Sequence, residues 1–416
     1  MIPAISLDRR ARSLEFGIYR DGDNNLDDIQ SLVIDQAKNV SAKHPSIEFT
    51  VEDTDCVDQY CATGSYTLDG GQERGLQVDD MHDMSSRANL ARFVARTLDN
   101  AEKAGAKQTW IDLVDHGAGD GGGLEADHAS DAATAARAAA GRVGIMREDD
   151  IAAAIADGVT LHAKAHPEDA ARHVDGVVAN QCLMATLGFS AALSHAGVRY
   201  LAASPETMLA PGVPSEVAID VAAHIGDPYA MARGVVDRVM DTRYFPSVKG
   251  GYSPAAAFDV LDLDPGKIAL VEGSVKTLDS ALTASAHDRA RRTVIREDAK
   301  AIEGMVRFPK GAHLPWRADR PALALYDTFA EDGRLPSSIR SAAQIASTAI
   351  RQTVLAHRED GDFAPFAHAD YGDAAGPTVH FPVSRAQIDP WAPTVSETDN
   401  TFYKTVGAAK LTKAVA

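Results

Sequence analysis

The chain has 416 residues, with 59 acidic against 41 basic side chains and a formal charge of −18. Hydrophobic residues at 45% and charged residues at 24% belong to a chain that buries a real core, which excludes disordered, collagen-like and low-complexity classes. The length suits two domains, or one large α/β domain with an appendage.

The acidic balance argues against a nucleic-acid or anionic-membrane surface, since both need concentrated Lys and Arg. No apolar run approaches the roughly 18 residues a membrane-spanning helix needs. Met1 to Arg10 holds too short an apolar stretch for a secretory leader, so the chain reads as soluble and cytoplasmic. A secreted mature form that has shed its leader reads the same. Three cysteines, Cys56, Cys61 and Cys182, make no disulfide framework, and Cys56 and Cys61 read as a pair of surface thiols.

In chain order, Leu14 to Tyr19 reads as a strand. Asp23, Asn24 and Asn25 then offer caps to a helix carrying Leu26, Ile29, Val33 and Val40 on one face. Ile47 to Val51 is a second strand, and Leu90, Phe93, Val94 and Leu98 mark a second helix. Thr109 to Val114 is a third strand. The Ala-rich stretch from Ala126 to Gly141 reads as an exposed insertion, and Met146 to Ile155 as a helix. Val174 to Ala179 is a fourth strand, followed by a helix from Leu183 to Leu193 closed by Gly197. Val198 to Ala203 is a fifth, after which Ser215 caps a helix with Val217, Val221 and Ile225.

This alternation predicts a mostly parallel sheet with helices on both faces, and functional groups at the carboxyl ends of its strands. Beyond Gly250 the rhythm changes, with a strand within Tyr252–Leu261, helices around Lys267–Leu282 and Ser337–Ala356, and a late strand at Thr378–Pro382. The expected division is therefore a core over 1–250 and a C-terminal extension over 251–416 packed on it.

Two strand ends carry chemistry. The third strand runs into Asp115-His116-Gly117-Ala118-Gly119, and the fourth into Asn180-Gln181-Cys182-Leu183-Met184. If the strands are neighbours, an imidazole and a thiol emerge side by side, which suits nucleophilic attack on a carbonyl. A helix opening at Cys182 would favour the thiolate. The backbone amides of Gly117 and Cys182 could donate to the developing oxyanion. The glycine-rich run Asp120–Gly123 lacks a phosphate-loop ending and reads as a flexible active-site loop. His162, His166 and His173, with Asp127 and His128, lack zinc-motif spacing and read as solvated loop histidines. No metal is expected.

At these residues the chain resembles the clostripain family of cysteine peptidases, of the caspase-like clan. Asp23-Asn24-Asn25-Leu26, Asp115-His116-Gly117-Ala118-Gly119, Cys182-Leu183-Met184 and Ala202-Ala203-Ser204-Pro205-Glu206 carry the resemblance. Tyr326-Asp327-Thr328-Phe329 and Val379-His380-Phe381-Pro382 support it. It implies a caspase-like α/β fold and a cysteine endopeptidase acting on protein or peptide substrates, with Cys182 as nucleophile and His116 as general base. It also implies self-cleavage between the two segments in some members, for which Arg137 and Arg142 are candidate points. Calcium dependence in some members is the one cofactor it suggests, and no calcium-loop spacing is present.

Three departures stand out. Asn180 replaces the Asp that lies two residues before the family's nucleophile, which weakens a preference for Arg or Lys. Gly188 or its neighbours replace a Glu, and Gly212-Val213-Pro214-Ser215 replaces an aromatic-bearing stretch. The expected substrate-binding residues are Asn180, Ser204 and Glu206, the last either as substitute charge or as a solvated surface carboxylate. A catalytically silent caspase-like binding or scaffold module, and a cysteine-dependent acyl transferase, are the alternative readings. The oligomeric state is not legible.

Overall fold

Seven consecutive buried residues, Leu14–Arg20 (β1), form the strand on which the molecule is built. The computed structural model describes residues 12–22, 26–57, 60–80, 82–125, 145–245, 251–302, 318–359, 376–383 and 400–415. After β1 come Asp27–Lys43 (α1), Ile47–Val57 (β2), Tyr60–Asp69 (β3), Gln72–Asp80 (β4), Arg87–Ala104 (α2) and Gln108–Val114 (β5). A two-stranded ribbon pairs Gly123–Glu125 (β6) with Ile145–Met146 (β7), and Glu148–Ala165 (α3) leads to Gly176–Asn180 (β8). Leu187–His195 (α4), Tyr200–Ala203 (β9), Val217–Ala223 (α5), Pro228–Asp241 (α6) and Ala257–Asp262 (β10) follow. The remainder comprises Pro265–Ser285 (α7), Arg289–Ala301 (α8), Asp319–Pro321 (β11), Ala322–Glu331 (α9), Ser337–Arg351 (α10) and Val354–Glu359 (β12). Thr378–His380 (β13), Thr401–Val406 (α11) and Ala408–Val415 (α12) end the described chain.

Nine strands form one sheet in the order β12-β10-β9-β8-β5-β1-β2-β3-β4. β9, β8, β5, β1 and β2 run parallel, and antiparallel strands extend both ends. Side chains alternate across this sheet. Ile111, Leu113, Val177 and Ala179 join a core with Phe93 of α2, Ile155 of α3 and Phe189 of α4. Trp110, Val114 and Val178 join a second core with Val33 of α1, Val217 of α5 and Val235 of α6. Covered on both faces, the central strands are near-continuous apolar runs, as parallel strands must be. The expected mostly parallel sheet with helices on both faces is the observed fold.

Several boundaries differ from expectation, each for a local reason. The hairpin β3–β4 was not foreseen, because its exposed outer strand carries polar residues such as Gln72, Glu73 and Arg74 rather than an apolar run. The helix expected to Ala356 stops at Arg351, and Val354 starts an edge strand, as a β-branched residue favours. β10 and β12 from beyond residue 250 belong to the same sheet as β1, so the extension contributes strands as well as packing. Ser215 does not cap α5; its hydroxyl donates to the Val33 carbonyl at 2.8 Å and ties that turn to α1. Asp23 to Asn25 and the Ala126–Gly141 insertion, with Asp127, His128, Arg137 and Arg142, lie outside the described residues.

Cys56 and Cys61 are direct partners in the β2–β3 register. Cys61 is disulfide-bonded and Cys182 is a free thiol, which corrects the reading of Cys61 as a surface thiol. Among the described residues no helix is long and apolar enough to cross a membrane.

Candidate active site

β5 and β8 are hydrogen-bonded neighbours in parallel register, with Val114 opposite Asn180. The chain leaves both at the same edge, so the segments bearing His116 and Cys182 emerge together. They line one cleft of about 440 Å³ with Leu26 and Gln30 of the α1 region and with residues 207–212 of the loop after β9.

The two segments touch at the backbone. A Cβ placed on Gly117 would lie 2.2 Å from the Cys182 carbonyl oxygen and 2.9 Å from its amide nitrogen. No side chain fits there, so glycine after His116 is a steric requirement of the closure. The His116 amide donates to Asp115 Oδ1 at 2.5 Å, which fixes the start of the loop.

Cys182 does not open a helix, contrary to expectation. Leu183 takes a positive φ of 67°, and its amide donates to the Glu206 carbonyl at 2.9 Å. The Ala185 amide donates to the Ser204 carbonyl at 3.0 Å. Leu183 and Ala185 thus spend their amides on the strand-end next door, and α4 begins only after Thr186, whose hydroxyl accepts from the Phe189 amide. No helix terminus stabilises a thiolate at Cys182.

The thiol is instead held on the loop after β9. Cys182 Sγ accepts from the Met208 amide at 3.3 Å and faces the Met208 carbonyl at 3.7 Å. Burial pushes the thiol pKa above its ordinary value and Asp115 adds to that, while the amides of Met208 and Cys182 pull the other way. The resting sulfur is therefore a protonated thiol, and a base must remove its proton during attack.

Ser204 and Glu206 are buried and do not line the cleft. Ser204 Oγ accepts from the Glu206 amide and donates to the Glu206 carbonyl, each at 3.0 Å. These residues brace the nucleophile turn, and neither is placed to meet substrate. Glu206 is no solvated carboxylate: burial, with Glu359 nearby, lifts its pKa to about 8.

Asn180 lines the cleft, yet its amide is already engaged. Nδ2 donates to the Val213 carbonyl at 3.1 Å, and Oδ1 accepts from the Val213 amide at 2.7 Å. Gly212, at φ 89°, makes this possible, since a Cβ there would lie 1.9 Å from Asn180 Oδ1. Near Asn180 lies a residue the sequence reading missed. Asp112 sits in the middle of β5 at 1% exposure, and neither carboxyl oxygen meets hydrogen-bond geometry. Burial raises its pKa well above the usual carboxylate range, and the Asn180 amide only partly offsets this. Its surroundings thus favour the neutral carboxyl.

The run Asp120–Gly123 is anchored rather than flexible. Asp120 is buried, and its Oδ2 accepts from the Tyr403 hydroxyl of α11 at 2.7 Å. The same hydroxyl accepts from the His380 amide at 2.9 Å. Asp319 Oδ1 lies 2.9 Å from His380 Nδ1, and burial with Asp319 alongside holds Asp120 well above its usual pKa. The C-terminal segment thereby positions the loop that carries His116. Its partners, hundreds of residues apart, left no local signal in the sequence.

Calcium takes six to eight oxygen ligands. The ligating clusters among the described residues each include a histidine. They do not fit that ion.

No protein-family model and no curated protein matches the sequence. Solved structures do. An inactive zymogen C11 protease from Parabacteroides distasonis is similar at 14% identity and TM-score 0.60, over 95% of this chain and 98% of that one. A secreted C11 cysteine protease from Bacteroides thetaiotaomicron is similar at 11% identity and TM-score 0.56, over 95% and 99%. A secreted C11 protease from the same organism, in complex with an irreversible peptide inhibitor, matches at 11% identity and TM-score 0.60, over 95% and 98%. The mostly parallel sheet with its helical layers thus matches the caspase-like α/β fold of C11, or clostripain-family, cysteine proteases.

Proposed function

We propose that this protein is a cysteine endopeptidase that hydrolyses peptide bonds through Cys182 and His116. The observation that carries this reading is the closure of Gly117 onto the Cys182 backbone, which brings both residues to one cleft. The fold likeness to C11 proteases supports it, as does the peptide inhibitor bound to one of them.

On this reading His116 takes the Cys182 proton as sulfur leaves Met208 and attacks the scissile carbonyl carbon. The amides of Gly117 and Cys182 receive the oxyanion. Collapse breaks the C–N bond, the imidazolium gives its proton to the leaving amine, and a thioester remains. His116 then deprotonates water, which attacks the thioester. The acid leaves and the thiol is restored.

The residue before the scissile bond is uncharged on this reading. Beside Cys182 the cleft offers Leu26, Met208, Leu209 and Pro211 and the committed amide of Asn180. Asp115 also lines the cleft, but its Oδ1 is occupied by the His116 amide. Gln30, 3% exposed, presents an Oε1 without a hydrogen-bond partner. Apolar and amide side chains fit this lining, whereas Lys or Arg would lose its hydration for a single carboxylate, Asp115, one oxygen of which already accepts from the His116 amide.

A peptide library varied at that residue tests the reading, with Cys182→Ala as control. The expected result is a preference for Leu, Met or Gln over Lys and Arg by roughly 100-fold. A preference for Lys or Arg would overturn the specificity. No cleavage of any member would favour the catalytically silent scaffold, for which the protonated resting thiol is the motive.

A further inference from the structure

Far from the cleft, α2 and α3 pack together with two histidines between them. α2 ends just before β5 begins and α3 ends before β8, so this junction lies at the opposite edge of the sheet from Cys182. His162, in the last turn of α3, is 0% exposed rather than solvated, and His166 follows at the helix end. Their rings stack with centroids 5.0 Å apart.

Acidic groups flank each ring on both sides. His162 Nδ1 lies 2.6 Å from Asp99 Oδ1, and His166 Nε2 lies 3.4 Å from that same oxygen. On the outer sides, His166 Nδ1 is 2.8 Å from Glu102 Oε2, and His162 Nε2 is 3.6 Å from Asp169 Oδ2. That Nε2 is buried without a hydrogen-bond partner. Glu168 stands 3.8 Å from His166 Nδ1, and Arg172 pairs with Asp169.

A neutral imidazole carries one N–H. With its N–H on Nδ1, beside Glu102, a neutral His166 turns the Nε2 lone pair toward Asp99 Oδ1, and His162 does the same from Nδ1 whenever its own N–H sits on Nε2. In that tautomer three lone-pair donors converge on one point that a cation can occupy, whereas with the N–H on Nδ1 His162 donates to Asp99 instead. The ligand atoms of Asp99, His162 and His166 lie within 4.8 Å of one another, near enough for side-chain adjustment to bring all three onto one tetrahedral zinc-type ion. Glu102 stands where a metal-ligating histidine keeps its partner, beside the His166 nitrogen away from the metal. Two histidines one turn apart facing acids of a neighbouring helix supply borderline nitrogen and oxygen donors, which suit zinc or cobalt rather than calcium.

We propose that Asp99, His162 and His166 bind a divalent transition-metal ion of the zinc type, with Glu102 orienting the His166 imidazole. The ion would rivet α2 to α3, and water or solute would complete the shell. Binding displaces any proton held on the inner nitrogens into solution.

The test uses the full chain carrying Cys182→Ala, so that the catalytic thiol cannot compete for metal. After treatment with chelator, the protein is titrated with Co²⁺ by visible absorption and with Zn²⁺ by calorimetry and thermal unfolding. The expected result is one ion per chain, a tetrahedral Co²⁺ ligand-field band and a raised Tm with Zn²⁺. His166→Gln and Asp99→Asn each weaken binding by roughly 100-fold, and Glu102→Gln by roughly tenfold. Circular dichroism checks each variant's fold, and the exposed side of the cluster makes Glu102→Gln the fallback if another fails to fold. Absence of binding, or binding that all three variants leave unchanged, would overturn the proposal in favour of two protonated histidines neutralising the acids.

Discussion

In the His116→Ala variant, peptide hydrolysis at neutral pH is expected to fall by on the order of 10⁴-fold, with folding unchanged. The reason lies in the resting sulfur. Burial and Asp115 keep Cys182 protonated above its ordinary pKa, and no helix terminus opposes them. The sign of the shift fixes the pH dependence. A raised pKa means that the thiolate is scarce at neutral pH and grows about tenfold per pH unit until that pKa is passed. Activity of His116→Ala should therefore climb steeply as the pH is raised above neutrality, toward a parent that needs no such help. Cys182→Ala should show no such recovery, and the double variant should be no worse than Cys182→Ala alone. Steady-state kinetics across that range, with Tm as a control, check all three. A His116→Ala rate that stays flat with pH would mean that the imidazole does something other than take the thiol proton.

Gly117→Ala is expected to cost nearly as much, without touching either reacting group. The added methyl would stand 2.2 Å from the Cys182 carbonyl oxygen, a separation real carbon and oxygen atoms do not reach. The loop cannot yield easily, because Asp120 is tied to Tyr403 three residues further on. The His segment must lift off the Cys segment, which separates the dyad and withdraws the Gly117 amide from the oxyanion. A loss of roughly 10²–10³-fold in kcat/KM follows from the donor alone. Overpacking at the contact should lower stability by about 1–3 kcal/mol. Kinetics together with urea unfolding separate the two effects. Near-normal turnover would show that the closure is not needed for reaction.

What the sequence disclosed, and what it hid, follows from the range of the interactions involved. His116 and Cys182 were legible because each follows an apolar strand, and parallel neighbours deliver such positions to one edge. The turn after Cys182 was not, since Leu183 and Ala185 look helical by composition and only the carbonyls of Ser204 and Glu206, from the next strand, divert their amides. Asp112 passed unnoticed because an acid in a buried strand looks like any other break in an apolar run. Asp120 looked mobile beside its glycines, and the group that holds it, Tyr403, comes from the far end of the chain. His162 and His166 looked like loop residues because Asp99 and Glu102, which give them meaning, lie on a different helix. Periodicity reports which face is buried; it does not report what stands opposite.

The central claim is that one thiol, activated by one imidazole, attacks peptide carbonyls in this cleft. It is tested most directly by incubating the intact protein with a peptidyl acyloxymethyl ketone and mapping the adduct by mass spectrometry. The account predicts a single adduct on Cys182, blocked by competing peptide substrate and slowed by on the order of 10³-fold in His116→Ala. A folded protein whose Cys182 stays unlabelled, or is labelled equally fast without His116, would contradict it.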